Sequence, residues 1–126
     1  MFRVGTDIIE IARIEKSAQR DSFVRRVYSQ SELELFETRK CPYPSMAANW
    51  TAKEAFSKSL GTGVRDFRLS EVEVLRDGLG APYIVLTGNA KRIADDMGLD
   101  FSVSLSHTDT LAVATVIAFP KGEQNL

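Results

Sequence analysis

The chain has 126 residues, 16 of them basic and 17 acidic, with a single cysteine at Cys41. One domain, residues 1–126, is expected, burying roughly two-thirds of the surface its unfolded form exposes, so a bulky substrate is easier to hold on a surface or between subunits than in an enclosed cavity. The near balance of charge argues against non-specific nucleic-acid binding, one cysteine excludes an intrachain disulfide framework, and no apolar run approaches the ~18 residues of a membrane span.

In chain order, a strand is expected at Phe2–Ile8, weakened by Gly5 and Asp7. Asp7 and Glu10 fall where a signal peptide would need its apolar core, so no leader is expected and a soluble, cytoplasmic protein follows. A helix runs from about Glu10 to Arg20 and an amphipathic one over Gln30–Thr38. Lys40–Pro44 holds two prolines and reads as a connection. The clearest helix spans Ser45–Leu60, with Gly61 where a C-terminal glycine cap belongs.

Beyond it, Leu69–Leu75 is strand-like, Asp77-Gly78 and Gly80-Ala81-Pro82 are turn signals, and Tyr83–Leu86 completes a hairpin. Asn89–Met97 reads as a helix stopped by Gly98. Phe101, Val103 and Leu105 alternate with Ser102, Ser104 and Ser106, a half-buried strand with a serine face. Leu111–Phe119 is apolar on both faces, as a central strand would be. The polar tail Lys121–Leu126 is expected to fray. The fold class is α+β: an antiparallel sheet packed on one long helix.

Two helices carry faces of opposite character. At about 100° per residue, Ile11, Ile14 and Ala18 lie opposite Arg13, Lys16 and Arg20, and Arg25 and Arg26 follow shortly. This is either a solvated helix face or a docking patch for an acidic partner. In the long helix, Ala48, Ala52, Ala55, Phe56, Ser59 and Leu60 form a small-residue packing face. Glu54 and Lys58 lie opposite, near Ala47, Trp50 and Thr51; taken alone they are an i,i+4 pair worth about 0.2–0.5 kcal/mol. Lys53 points to the side, toward phosphate or solvent. Asp7 alone reads as a cap for the following helix, Gly61 and Gly63 as a helix stop and a turn, and His107 as an ordinary turn histidine.

Three segments change these readings when taken together: GTDIIEIARI near the start, WTAKEAFSKSLGTG in the long helix, and VSLSHT near the end. In this order and spacing they resemble the holo-acyl-carrier-protein synthase family of phosphopantetheinyl transferases, over about residues 3–118. The resemblance implies the phosphopantetheinyl transferase fold, half of the larger pseudo-duplicated transferases. It also implies a reaction. Phosphopantetheine moves from coenzyme A to a serine of an apo acyl carrier protein, leaving adenosine 3',5'-bisphosphate, in support of fatty acid biosynthesis.

By the same resemblance, Asp7 and Glu54 are the ligands of Mg²⁺, which takes carboxylate, phosphate and water oxygens. Lys58 serves the diphosphate and the departing group, and Glu54, directly or through a metal-bound water, is the base. Gly61, Gly63, Pro82 and His107, with Ser106 and Thr108 as weaker candidates, fall at coenzyme A positions. Arg13, Lys16, Arg20, Arg25 and Arg26 are expected to dock the acidic carrier. A homotrimer with sites between subunits is implied, with no nucleic acid and no membrane as partner. One departure stands out. Family members often carry arginine just before the aromatic of the helix motif, and here Asn49 precedes Trp50. Arg39, Lys40 or a neighbouring subunit's base would have to replace that charge.

Two other classes are weighed against this one. A non-catalytic coenzyme A or nucleotide-binding module would be favoured by Asn49 and disfavoured by the intact Asp7, Glu54 and Lys58 set. An interaction domain using the basic helix would tolerate loss of Glu54. A Ser-His hydrolase is disfavoured, because Ser106 adjoins His107 and there is no Gly-x-Ser-x-Gly. The glycine loop is no P-loop, lacking Gly-Lys-Ser/Thr.

Overall fold

The computed structural model describes residues 1–61 and 66–122. Gly63 and the last four residues of the tail expected to fray lie outside the described residues. In chain order the elements are β1 (Arg3–Glu10), α1 (Ile11–Ser17), α2 (Asp21–Val27), α3 (Gln30–Glu37), α4 (Tyr43–Ser59), a 3-10 turn (Leu69–Glu71), β2 (Val72–Arg76), β3 (Pro82–Leu86), α5 (Gly88–Met97), β4 (Leu99–His107) and β5 (Leu111–Pro120). The three-stranded antiparallel sheet has the order β1-β5-β4, and β2 pairs with β3 in a separate hairpin. The all-apolar strand is thus the central one.

The sheet's inner face is built from small side chains. Ala112, Ala114, Val116 and Ala118 of β5 are buried there, as are Ala52, Ala55 and Phe56 of α4. Gly5 makes the approach closer still. A Cβ on it would stand 2.0 Å from the Ala55 carbonyl oxygen and 2.7 Å from the Ser59 nitrogen. The residue that weakens the strand by propensity is therefore required by packing. A second core lies under α1–α3, where Ile14, Phe23, Val27, Tyr28 and Phe36 meet the first turns of α4.

Several boundaries differ from expectation. The helix from Glu10 stops at Ser17, and Arg20, in extended conformation, opens a separate helix, α2. The break lets α2 turn Phe23 and Val27 into the core. Pro44 lies inside the first turn of α4 rather than in the connection, where its missing N–H costs nothing. Residues 69–71 form a 3-10 turn before β2, and Glu71 accepts bonds from the backbone N–H groups of Asn89 and Ala90 at the start of α5. α4 is also covered on more sides than its sequence suggests, since Ala47 and Thr51 are both 0% exposed.

Lys53 shows this most clearly. It reaches neither solvent nor a phosphate site but is fully buried, 2.6 Å from Glu32 Oε1, itself fully buried. Its ammonium also donates to the carbonyls of Leu69 and Val72. The other Glu32 oxygen accepts from Asn49 Nδ2 at 2.9 Å and from the Val74 backbone N–H. Burial pushes the Lys53 amine down, and Glu32 opposes that shift. This network ties α3, α4 and β2 together.

The sheet's outer face is different. Val4, Ile8, Leu111 and Ile117 are exposed there, beside the serines of β4. Among the described residues, no helix is long and apolar enough to cross a membrane.

Candidate active site

Gly5 and Asp7 lie two residues apart on β1 and so share the face that meets α4. The contact that Gly5 permits puts Asp7 against the C-terminal half of α4. There Lys58 Nζ lies 3.1 Å from Asp7 Oδ1 and 3.0 Å from the Thr6 carbonyl oxygen. Lys58 reaches across to β1 rather than pairing with Glu54 along the helix. Asp7 is not a helix cap either, because Glu10 holds that position and makes no side-chain cap bond. The second carboxylate oxygen of Asp7 is buried and has no hydrogen-bond partner among the described residues.

Glu54 is half-buried one turn before Lys58. Burial pushes its carboxyl above the ordinary range, the Asp7 charge pushes it further, and Lys58 opposes. A carboxylate made costlier to ionise by burial and by a neighbouring acid, beside an acid with a buried oxygen that lacks a partner among the described residues, suits a hard divalent cation. Mg²⁺ takes one or two carboxylates and fills its other positions with water and substrate phosphate. Among the described residues there is no group of three or more acidic, histidine or cysteine side chains that could hold a metal ion.

A second feature sits at the other end of α4. A cavity of about 360 Å³ is lined by Arg39, Ser45, Ala48, Arg76, Gly80, Pro82, Leu105 and His107. It brings Pro82 and His107 together and places Arg39 beside them. Arg76 was not foreseen. It ends β2, and nothing in its local pattern distinguishes it from a solvated strand-end base. Its Nη2 donates to Asn49 Oδ1 at 2.8 Å. Burial lowers its pKa, the nearby Arg39 charge lowers it further, and Glu32 opposes.

The remaining candidates fall in different places. Ser106 lies on the sheet's outer face, one residue from His107 and pointing oppositely, so the two do not share a surface within one subunit. The Thr108 hydroxyl accepts from the backbone N–H groups of Thr110 and Leu111 and closes the β4–β5 turn. Gly61, at φ 82°, ends α4, and the Leu60 carbonyl there accepts from Arg3. Arg13, Lys16, Arg20, Arg25 and Arg26 are all exposed on α1, α2 and the turn between them. Arg25 pairs with Asp21, and the Arg26 guanidinium sits 5.9 Å from the Phe23 ring centroid.

Comparison with known proteins is consistent with this geometry. Residues 3–116 match the family model of the 4'-phosphopantetheinyl transferase superfamily. The chain is 43% identical over 124 residues to the holo-[acyl-carrier-protein] synthase of a Thermoanaerobacter species, covering 97% of this chain and 89% of that one. It is 44% identical over 119 residues to the synthase of Ruminiclostridium cellulolyticum, covering 90% and 89%. The crystal structure of the synthase from Neisseria meningitidis superposes with a TM-score of 0.86 at 28% identity, covering 93% of this chain and 97% of that one. The Helicobacter pylori synthase, solved in complex with coenzyme A, superposes at 0.80 with 31% identity, covering 92% and 99%.

Proposed function

Because the chain belongs to the 4'-phosphopantetheinyl transferase superfamily, we propose that it performs the reaction named for its relatives. It transfers phosphopantetheine from coenzyme A to a serine of an apo acyl carrier protein, which supplies holo carrier for fatty acid biosynthesis. The observation that carries the reading is the buried Asp7 oxygen, unpartnered among the described residues, in a cluster with Glu54 and Lys58.

Asp7 and Glu54 would hold Mg²⁺, which supplies neutralisation of the coenzyme A diphosphate when bound. The carrier serine oxygen forms a bond to the β-phosphorus, and the bond from that phosphorus to the bridging oxygen breaks. Adenosine 3',5'-bisphosphate leaves with the electron pair. Glu54, directly or through a water, accepts the serine proton. Lys58 places a fixed positive charge where negative charge grows on the departing phosphate.

The two halves of the site support an assembly with sites between subunits. Ser45 lies nine residues before Glu54, about 14 Å along the helix and half a turn around it. The Arg39–His107 cavity therefore faces away from the carboxylate pair of the same subunit. The exposed apolar residues on the sheet's outer face, Val4, Ile8, Leu111 and Ile117, offer a surface for neighbouring copies. A cytoplasmic homotrimer completes the proposal. The exposed bases Arg13, Lys16, Arg20, Arg25 and Arg26 are the surface for the acidic carrier.

Incubating the protein with coenzyme A, Mg²⁺ and an apo carrier should add one phosphopantetheine to the carrier, and chelation of Mg²⁺ should stop it. A carrier whose mass stays unchanged would favour a binding module without catalysis.

A further inference from the structure

Asn49, where an arginine was expected, is neither exposed nor idle. It is fully buried, and its amide group is used on both sides. Its Nδ2 donates to Glu32 Oε2 and to the Val74 carbonyl, both at 2.9 Å. Those two bonds fix which way the Oδ1 faces, and that oxygen accepts Arg76 Nη2 at 2.8 Å. The Arg76 Nη1 contacts the carbonyls of Val74 and Leu75 at 3.4 and 3.3 Å. The guanidinium is thus clamped at the rim of the Arg39–His107 cavity, close enough to Arg39 for the two charges to repel. Among the described residues, neither arginine forms an ion pair within 4 Å.

Two like charges converging on a cavity that also holds Ser45 and His107 are costly unless an anion joins them, and a guanidinium fork matches a phosphate. Coenzyme A carries a diphosphate and one phosphate monoester on its ribose. The diphosphate is matched by the Asp7, Glu54 and Lys58 cluster, which leaves the monoester for this cavity. We propose that Arg76, oriented by Asn49 and assisted by Arg39, is the residue that selects the 3'-phosphate of coenzyme A in this chain. The charge absent from position 49 is supplied from β2, and position 49 keeps a role as the clamp. The inference rests on the coenzyme A reading above.

Calorimetry with adenosine 3',5'-bisphosphate and with adenosine 5'-monophosphate isolates the monoester without any transfer step. The wild-type protein should prefer the bisphosphate by at least tenfold. Arg76→Gln, which keeps a donor for Asn49, should erase most of that preference and leave 5'-monophosphate binding unchanged, with an unaltered melting temperature. Asn49→Ala should reduce the preference by less. Transfer kinetics should agree: the KM for coenzyme A rises in Arg76→Gln, whereas the KM for 3'-dephospho-coenzyme A does not. If Arg76→Gln weakens both nucleotides equally, or neither, while the wild type still modifies its carrier, this assignment is wrong and the transferase reading stands. A wild type that binds neither nucleotide and modifies no carrier overturns both.

Discussion

The Lys58 ammonium sits 3.1 Å from Asp7 Oδ1, joining residues 51 positions apart in sequence. The bond spans β1 and α4, and the other Asp7 oxygen is buried and without a partner among the described residues. The pair is half open to solvent on the lysine side, so it contributes at most about 1 kcal/mol to stability. Lys58→Ala should therefore leave the denaturation midpoint nearly unchanged. Its kcat for transfer should fall by about 10²-fold or more, the loss typical when one charge-stabilising donor is removed. A variant that kept full kcat would remove Lys58 from the proposed chemistry.

Gly5 should tolerate no side chain. The added carbon would meet backbone atoms of α4, at 2.0 Å in the closest case, and backbone cannot swing aside as a flexible side chain would. Gly5→Ala should destabilise by 3 kcal/mol or more, above the usual range of about 1–3 kcal/mol for overpacking. Urea denaturation measures this directly. A loss under about 1 kcal/mol would mean that β1 and α4 can separate freely.

Lys53 and Lys58 share a helix but should behave oppositely. Lys53→Met leaves the Glu32 carboxylate buried without its cation, which costs about 3–5 kcal/mol. Lys58→Met should cost less than about 1 kcal/mol, because its pair is partly exposed. Chemical denaturation of both variants gives the comparison. Equal losses would contradict the difference in burial.

Charge reversal on α1 should act on the carrier alone. Arg13 is exposed and forms no ion pair among the described residues. Arg13→Glu should raise the apparent KM for the carrier and flatten its dependence on salt, with the KM for coenzyme A unchanged. Unaltered carrier kinetics across an ionic-strength series would move the docking surface elsewhere.

The sequence carried the elements with strong local signals. β5 is apolar on both faces except at Thr115 and is the central strand; Gly98 and Gly61, both at positive φ, end their helices where expected. Local pattern failed where tertiary context decided. The expected Glu10–Arg20 helix ends early at Ser17, and α2, which has only seven residues, has no separate signal in the sequence reading. Lys53 reads as a solvated base until β2 and α3 close over it from 19 and 21 positions away. The motifs single out Asp7 and Glu54, whereas the close approach of β1 to α4 that the missing side chain at Gly5 permits is not readable from them. Arg76 needed the fold entirely, because its meaning comes from Asn49, 27 positions earlier.

Asp7 and Glu54 are proposed to grip one divalent cation together. Titrating Mn²⁺ as a paramagnetic probe, with adenosine 3',5'-bisphosphate present, measures that grip without relying on turnover. The wild-type protein should bind one ion per subunit, and Asp7→Asn and Glu54→Gln should each weaken binding by tenfold or more while remaining folded. Binding that survives either substitution at full strength would contradict the shared site and the transfer mechanism built on it.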